Sequence, residues 1–386
     1  MPIGYNDIEV TVHLDRLVGN YTRLQAVAGN CMPVVKSDAY GHGLVQVAAA
    51  LAAAGATSLA VGTVAEAVQL RQSGFRGRIV ALLGPQSADD DAALLVFDIL
   101  PFIARFDQIE RLGKLAARSA RAIDLALKFD TGMARLGFAA KEALRVAEVL
   151  AQWPGLRVVL VASHLATSDD PDDKAFVCTQ ADCFVRILDC LTRELGTRPP
   201  ASLANSAALL AYPELHFNVT RPGIALYGAN PFALTALESL GAGLTPAMDV
   251  SAPVLQVHAL PKGASISYGR TFTAARDMRV AIIGAGYADA YSRGLSSPAG
   301  QGPCVLLGGA RRPILGRVCM QMTAVDLSDR SDRSDRPPLA PGDRAFLLGG
   351  DGAQAITPEE LAGWWGTITY EVFCLLGLNK RRGIGG

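Results

Sequence analysis

Short apolar, β-branched runs alternate with segments of helical periodicity between about residues 30 and 228. Apolar runs bounded by turn residues are typical of buried strands, whereas apolar residues at helical spacing are typical of amphipathic helices. The eight candidate strands lie at 33–36, 58–62, 78–83, 97–103, 123–129, 157–164, 201–204 and 219–225. Eight strands that alternate with helices predict an α/β fold of the TIM type, a (β/α)8 barrel.

The pattern changes after about residue 240. Short strands broken by glycine and proline predict a mostly antiparallel β domain, with one helix at 358–365 that has Thr357 as its N-cap and Pro358 in its first turn. We therefore divide the chain into a barrel domain, 1–240, and a β domain, 241–386. A threefold Ser-Asp-Arg repeat at 328–336 is expected to form a solvated loop between two strands.

The composition disfavours several classes of protein. Lys and Arg together number 36, as do Asp and Glu, so we expect neither a nucleic-acid partner nor a membrane surface. No apolar run approaches the length of a membrane span, and the N-terminus lacks a secretory pattern, which together favour a cytoplasmic protein. The seven cysteines are scattered rather than paired at zinc-ligand spacing, so no metal site is predicted.

A lysine, Lys36, ends the first predicted strand, and Tyr-Gly-His-Gly follows after three intervening residues. Barrels place their functional groups at the C-terminal ends of their strands. A lysine at the end of a buried strand is costly to desolvate without a partner, and forming an imine is one way to hold it there. For an isolated Val-Val-Lys, a solvated lysine at a strand end would be the favoured interpretation. Later strands add polar residues at equivalent places, namely Lys128, Asp130, His164, Asn205, Ser206 and Arg221.

Two segments near the last predicted strands are candidate phosphate sites. Asn205 and Ser206 open a helix after the seventh strand, and Arg-Pro-Gly-Ile at 221–224 follows the eighth. Barrels often bind phosphate there through backbone N–H groups and a helix N-terminus. An ordinary N-cap and an ordinary turn would give the same residues. Both segments follow strands of the same predicted barrel whose first strand ends in Lys36, and this position favours the phosphate interpretation.

Seven ordered motifs resemble those of alanine racemases and cover both predicted domains. In chain order they are Lys-x-x-x-Tyr-Gly-His-Gly, Lys-x-Asp-Thr-Gly-Met-x-Arg-Leu-Gly, Asn-Ser-Ala, Arg-Pro-Gly-Ile-x-Leu-Tyr-Gly, Ser-Tyr-Gly, Gly-Tyr-Ala-Asp and Tyr-Glu, beginning at Lys36, Lys128, Asn205, Arg221, Ser267, Gly286 and Tyr370. The resemblance implies a homodimeric racemase that interconverts L- and D-alanine with pyridoxal 5'-phosphate as its cofactor.

The resemblance also implies a role for individual residues. Lys36, which carries the cofactor, and Tyr268 of the partner subunit are implied as the two acid–base groups, because racemisation removes a proton from one face and returns it on the other. The implied cofactor contacts are Lys36, Tyr40, His164, Asn205, Ser206, Arg221, Gly223, Ile224 and Tyr370. Arg135 and Met320 are implied to contact the substrate, and Lys128 matches a lysine that is often carbamylated. Arg221, always protonated, is implied to leave the pyridine nitrogen it faces without a proton.

Three departures from the family motifs leave alternatives open. Gln321 follows Met320 where aspartate is usual, which favours a broader-specificity or serine racemase as the alternative. Ala290 stands where glycine is usual, and Ser202 where histidine is common. A barrel-type pyridoxal-phosphate decarboxylase is a further alternative, although such enzymes typically place an acidic residue where Arg221 stands. A non-catalytic single-barrel carrier would lack the β domain.

Overall fold

A computed structural model describes residues 7–328 and 338–385. The strands are β1 (Glu9–His13), β2 (Ser58–Val61), β3 (Arg78–Ala81), β4 (Ile99–Ile103), β5 (Ile123–Asp130), β6 (Phe138–Ala139), β7 (Leu156–Ala162), β8 (Ala201–Ser202), β9 (Met248–Leu260), β10 (Ser265–Ile266), β11 (Phe272–Thr273), β12 (Met278–Ile283), β13 (Cys304–Leu307), β14 (Ala310–Pro313), β15 (Thr323–Asp326), β16 (Arg344–Leu348) and β17 (Lys380–Ile384). The right-handed α-helices are α1 (Leu14–Ala28), α2 (Leu44–Ala53), α3 (Val64–Gln72), α4 (Ala88–Phe97), α5 (Phe106–Ser119), α6 (Ala143–Ala151), α7 (Lys174–Leu195), α8 (Ser206–Ala211), α9 (Pro358–Trp365) and α10 (Thr369–Leu376).

The described residues form two compact units. The barrel unit contains residues 17–39 and 44–244, and the β unit contains residues 7–16, 40–43 and 245–385 without the undescribed 329–337. The sequence predicts a barrel domain at 1–240, whereas residues 7–16 and 40–43 group with the β unit. The alternating pattern of β1 buries Val10 and Val12, and such a pattern fits a strand of any half-buried sheet.

The barrel unit is built on a parallel sheet in the order β2-β3-β4-β5-β7-β8. Two extended segments close the ring through parallel bridges between Cys31 and Thr220 and between Val34 and Ala60. All five residues of β4 are buried, as expected of parallel strands covered on both faces. The predicted eighth strand ends early, because residues Ile224–Tyr227 form a 3-10 turn after the glycine at 223.

The β unit has a mostly antiparallel sheet in the order β14-β13-β16-β9-β1-β17, and β12 joins β9 to β15. The predicted fold class, a (β/α)8 barrel followed by a mostly antiparallel β domain, is confirmed. The predicted helix is also confirmed as α9, where the Thr357 side chain accepts a hydrogen bond from the backbone N–H of Glu360. Helix α10, which carries Tyr370, was not predicted. The Ser-Asp-Arg repeat lies outside the described residues except for Ser328.

A left-handed turn follows the first barrel segment. Ser37, Asp38, Ala39 and Tyr40 all have φ between 52° and 55°, although none of them is glycine. Each such residue costs about 1–2 kcal/mol relative to a right-handed conformation. The turn is held in part by the Asp38 carboxylate, whose Oδ1 accepts the backbone N–H of Leu44 at 2.7 Å.

Candidate functional site

The C-terminal ends of the barrel strands bring several of the predicted residues together. Lys36 follows the closing segment whose Val35 N–H donates to the carbonyl of Ala60 at 2.7 Å. Lys128 lies near the end of β5, and His164 lies two residues beyond β7. Because parallel strands end at the same rim, these side chains share one environment. Lys36, Lys128, Arg135 and Arg221 all act on the charge of His164.

The guanidinium of Arg221 is buried and held by neutral acceptors. Its Nη1 donates to the hydroxyl of Ser202, and its Nη2 donates to the carbonyl of Ser163. No carboxylate forms an ion pair with Arg221 within the described ranges. Burial lowers the pKa of Arg221 to about 10, so the group is a cation at neutral pH. Ser202, one of the departures from the family motif, orients this cation and donates its own proton to Val219 O at 2.6 Å.

Lys128 and His164 are both disfavoured as cations. The pKa of Lys128 is lowered to about 7, mainly by burial and in smaller part by the charges of Arg221 and Arg135, while Asp130 opposes the change. Burial also lowers the pKa of His164 well below its usual value, and the surrounding lysines and arginines add to the effect. A neutral imidazole and a partly neutral amine therefore stand in the site at physiological pH.

Asp130 begins a tight turn that presents Arg135. Burial alone would raise the pKa of Asp130, but hydrogen bonds from the backbone N–H groups of Gly132, Ala134 and Arg135, together with the charge of Lys128, lower it on balance. The carboxylate receives the N–H of Gly132 at 2.8 Å and that of Arg135 at 3.0 Å. Arg135 itself is exposed, which suits a residue that meets a diffusing ligand.

The two predicted phosphate segments are joined through Ser206. Its hydroxyl accepts the backbone N–H of Gly223 at 2.9 Å and that of Ala225 at 3.2 Å. Asn205 is the N-cap of α8, and its Oδ1 accepts the N–H of Ala208 at 3.0 Å. The structure therefore brings the Asn-Ser motif against the turn that contains Gly223 and the buried Ile224.

Sequence reasoning missed one residue of the Arg-Pro-Gly-Ile motif that supports Lys36. The hydroxyl of the fully buried Tyr227 donates to the carbonyl of Val34 at 3.0 Å. This bond ties the turn after the last barrel segment to the strand that ends in Lys36. In the sequence this residue is visible only as a tyrosine six residues after Arg221. Nothing in the sequence indicates that its hydroxyl donates to the carbonyl of Val34.

The β unit positions the remaining predicted residues. Tyr268 lies in the loop between β10 and β11 and is 67% exposed. The preceding residue, Ser267, has a φ of 68°, and its hydroxyl donates to the carbonyl of Arg317. The exposed Met320 lies on a neighbouring loop, where its carbonyl accepts the N–H of Ala288 at 2.9 Å. Hydrogen bonds thus link the loops that carry Tyr268 and Met320.

Tyr40 and Tyr370 lie together within the β unit. Their ring centroids are 6.0 Å apart. Tyr40 is buried, and burial, with smaller contributions from Tyr370 and Cys374, raises the pKa of its phenol. A phenol that stays protonated can donate a hydrogen bond to an anion.

Two kinds of feature are absent from residues 7–328 and 338–385. No helix among them is both long and apolar enough to cross a membrane. No group of three or more His, Cys, Asp or Glu side chains within the same ranges is arranged to hold a metal ion.

Comparison with known proteins covers nearly the whole chain. The family model for the alanine racemase N-terminal domain matches residues 12–231, and that for the C-terminal domain matches residues 247–383. An alanine racemase of Nitratidesulfovibrio vulgaris (strain DSM 19637 / Miyazaki F) is 56% identical, covering 99% of each chain. The alanine racemase crystal structure from D-cycloserine-producing Streptomyces lavendulae superposes with a TM-score of 0.88 at 32% identity, covering 99% of this chain and 98% of its own. An alanine racemase of Bartonella henselae with covalently bound pyridoxal phosphate gives a TM-score of 0.85 at 28% identity, covering 98% and 99%.

Proposed function

Since this chain belongs to the alanine racemase family and is an alanine racemase, we propose that Lys36 of one protomer and Tyr268 of the partner subunit are its two acid–base groups. The observation that carries the proposal is the cationic rim of the barrel around Lys36 and Arg221. Racemisation needs a proton removed from one face of the α-carbon and returned to the other. An amine and a phenol from different subunits of a homodimer supply two such opposed groups.

The donor set at the barrel rim fits pyridoxal 5'-phosphate. Lys36 is the amine for covalent attachment, and the positive charges of Arg221 and Arg135, which act on His164, suit a ligand with anionic groups. Arg221 is a buried cation without a carboxylate partner among the described residues, so it can donate to the unprotonated ring nitrogen without giving up its proton. When bound, the cofactor supplies the electron-accepting ring that makes the α-proton of an amino acid removable.

The phosphate of the cofactor has candidate donors around the last barrel segment. The hydroxyl of Ser206 holds the backbone of Gly223 and Ala225 in place by accepting both of their N–H groups. We assign the N–H of Ile224, the proton of the Ser206 hydroxyl and, once phosphate replaces Ser206 as its acceptor, the N–H of Gly223 to the phosphate. Asn205 caps the adjacent helix. For the adjacent Tyr40 and Tyr370 we propose the cofactor contacts that the family resemblance implies. Burial raises the pKa of the Tyr40 phenol, so this hydroxyl stays protonated and is a hydrogen-bond donor.

The substrate is held by its carboxylate. Arg135, presented by the turn that Asp130 anchors, is the cation that we assign to this group, since arginine binds carboxylates through paired hydrogen bonds. The backbone N–H of Met320 of the partner subunit is assigned to the same ligand. His164, neutral because of its lowered pKa, is assigned as the acceptor that orients the phenol of Tyr268.

Lys128 is proposed to carry a carbamate. With its pKa lowered to about 7, the neutral Nζ is available to add to carbon dioxide and release a proton. The resulting anion would attract Arg135, whereas the ammonium form repels it. Nuclear magnetic resonance with isotopically labelled bicarbonate tests this: a carbamate signal that disappears in Lys128→Met supports the modification, and an unmodified amine excludes it.

The test of function is racemisation of alanine and of serine in both directions, with Tyr268→Phe beside the wild type. We expect the wild type to racemise alanine quickly. In Tyr268→Phe, exchange of the α-proton with solvent deuterium should fall more strongly for one enantiomer of alanine than for the other. An equal fall for both enantiomers would contradict the separate roles of Lys36 and Tyr268. Serine turnover equal to that of alanine would favour the second candidate, a broader-specificity racemase, for which Gln321 beside Met320 is the supporting observation.

A further inference from the structure

The peptide bond after Lys36 is held by a carboxylate that belongs to another part of the barrel. Glu66, in the first turn of α3, accepts the backbone N–H of Ser37 on its Oε1 at 2.6 Å. Its Oε2 accepts the N–H of Gly62 at 2.8 Å and that of Thr63 at 2.9 Å. One side chain therefore connects the end of the second barrel strand to the residue that follows Lys36.

This arrangement goes beyond what a helix cap requires. In a capping box the N-cap side chain and the acidic side chain three residues later bind each other's backbone N–H groups. Thr63 and Glu66 form such a box, which uses one oxygen of the carboxylate. The other oxygen is directed to Ser37, at the start of the left-handed turn that non-glycine residues rarely adopt.

Gly62 leaves the space that the carboxylate needs. A Cβ at this position would lie 2.9 Å from Glu66 Oε2 and 3.5 Å from the Cβ of Lys36. The Glu66 carboxylate and the stem of Lys36 therefore both lie beside the backbone of Gly62. Any shift of the carboxylate would move the peptide to which Lys36 is attached.

We propose that Glu66 is a positioning residue for Lys36: its charge-assisted hydrogen bond to Ser37 fixes the backbone from which the lysine side chain projects. A lysine has four rotatable side-chain bonds, so a small rotation of its backbone moves Nζ by much more. Loss of such alignment lowers the rate of reaction rather than the affinity for substrate. This inference rests on the proposed function of Lys36.

The neighbouring barrel repeat offers a matched control. Asp90 of α4 forms the same kind of capping box with Ser87, and its Oδ2 also accepts the N–H of Gln86 at 2.7 Å. Its three hydrogen bonds lie within residues 86–90 and do not reach the Lys36 segment. Asp90→Asn therefore changes helix capping alone, whereas Glu66→Gln changes capping and the hold on Ser37.

The experiment compares Glu66→Gln, Glu66→Ala and Asp90→Asn with the wild-type holoenzyme. Glutamine keeps the shape but presents only one oxygen, so an NH₂ group must face one of the backbone N–H donors. We measure kcat and KM for alanine, the pH dependence of the visible absorbance of the lysine-bound cofactor, and amide hydrogen exchange of the peptide containing Ser37. Borohydride reduction followed by mass spectrometry reports whether Lys36 carries the cofactor.

We expect a fall in kcat of about 10- to 100-fold in the Glu66 variants with KM changed less than about 3-fold. Hydrogen exchange at Ser37 should become faster and the absorbance titration should shift, while Asp90→Asn leaves all three unchanged. Unaltered titration and kcat in Glu66→Gln, or equal losses in Asp90→Asn, would overturn the positioning role. A wild-type enzyme with no cofactor on Lys36 after reduction would instead overturn the proposed function of Lys36, and with it this role.

Discussion

Lys128 makes the free energy of unfolding increase with pH. A lysine that gains an ion-pair partner on folding has the opposite effect, because its pKa is raised. Its pKa falls from 10.5 in the unfolded chain to about 7 in the folded protein. Between these values the unfolded chain binds the proton and the folded protein does not, so the free energy of unfolding rises with pH. From pH 7 to pH 9 this linkage amounts to about 2 kcal/mol. Below pH 7 the penalty for burying the charge is present in full.

The perturbation that isolates this effect is Lys128→Met, which keeps the length of the side chain and removes its charge. Urea unfolding of the cofactor-free protein in buffer purged of carbon dioxide should show that the variant has lost about 2 kcal/mol of the wild-type increase between pH 7 and pH 9. Lys114→Met, at a side chain that is 60% exposed, is the control and should leave the increase unchanged. Parallel pH profiles for wild type and Lys128→Met would refute the reasoning.

Two further predictions concern the barrel scaffold. Arg71 donates four hydrogen bonds to backbone carbonyls of the loops that flank β3 and β4, so Arg71→Lys should lower the free energy of unfolding by roughly 2–4 kcal/mol; an unchanged denaturation midpoint would contradict this. Gly113→Ala should lower the free energy of unfolding by about 1–3 kcal/mol, because the new Cβ would lie 2.2 Å from the ring of Trp153. Gly19→Ala in α1 should instead raise it by up to about 1 kcal/mol, because nothing lies within 4 Å of the new Cβ. Equal changes in the two glycine variants would refute the packing argument.

The barrel was predictable because its physics is local. Buried parallel strands such as β4 are continuous apolar runs. Helix caps such as Thr357 can be recognised from residue type and spacing. The partner of β1 could not be predicted, because an alternating strand does not specify which sheet it joins. Helix α10 was missed because Ile368, its N-cap residue, makes no side-chain capping hydrogen bond.

The residues of the candidate site could be proposed from the sequence, but their pKa values and hydrogen bonds could not. Ordered motifs identified Lys36, Arg221 and Tyr268, since each is part of a distinctive local string. The lowered pKa of Lys128 depends on cations contributed by other strands, and no local pattern encodes it. The spacing of Thr63 and Glu66 is typical of a capping box. The hydrogen bond from Ser37 to Glu66 could not be predicted, because Ser37 lies 29 residues away in the sequence.

The position of β1 constrains the order in which the chain can fold. This strand pairs antiparallel with β9 and parallel with β17, with Glu9 opposite Lys380 and His13 opposite Ile384. During synthesis, the strand therefore emerges from the ribosome hundreds of residues before its last partner. The barrel segment can fold in this interval, because all of its strands have been synthesised. The β sheet can be completed only after the C-terminal strand β17 has been synthesised. Release of the complete chain, rather than formation of the barrel, should therefore be the step that completes folding.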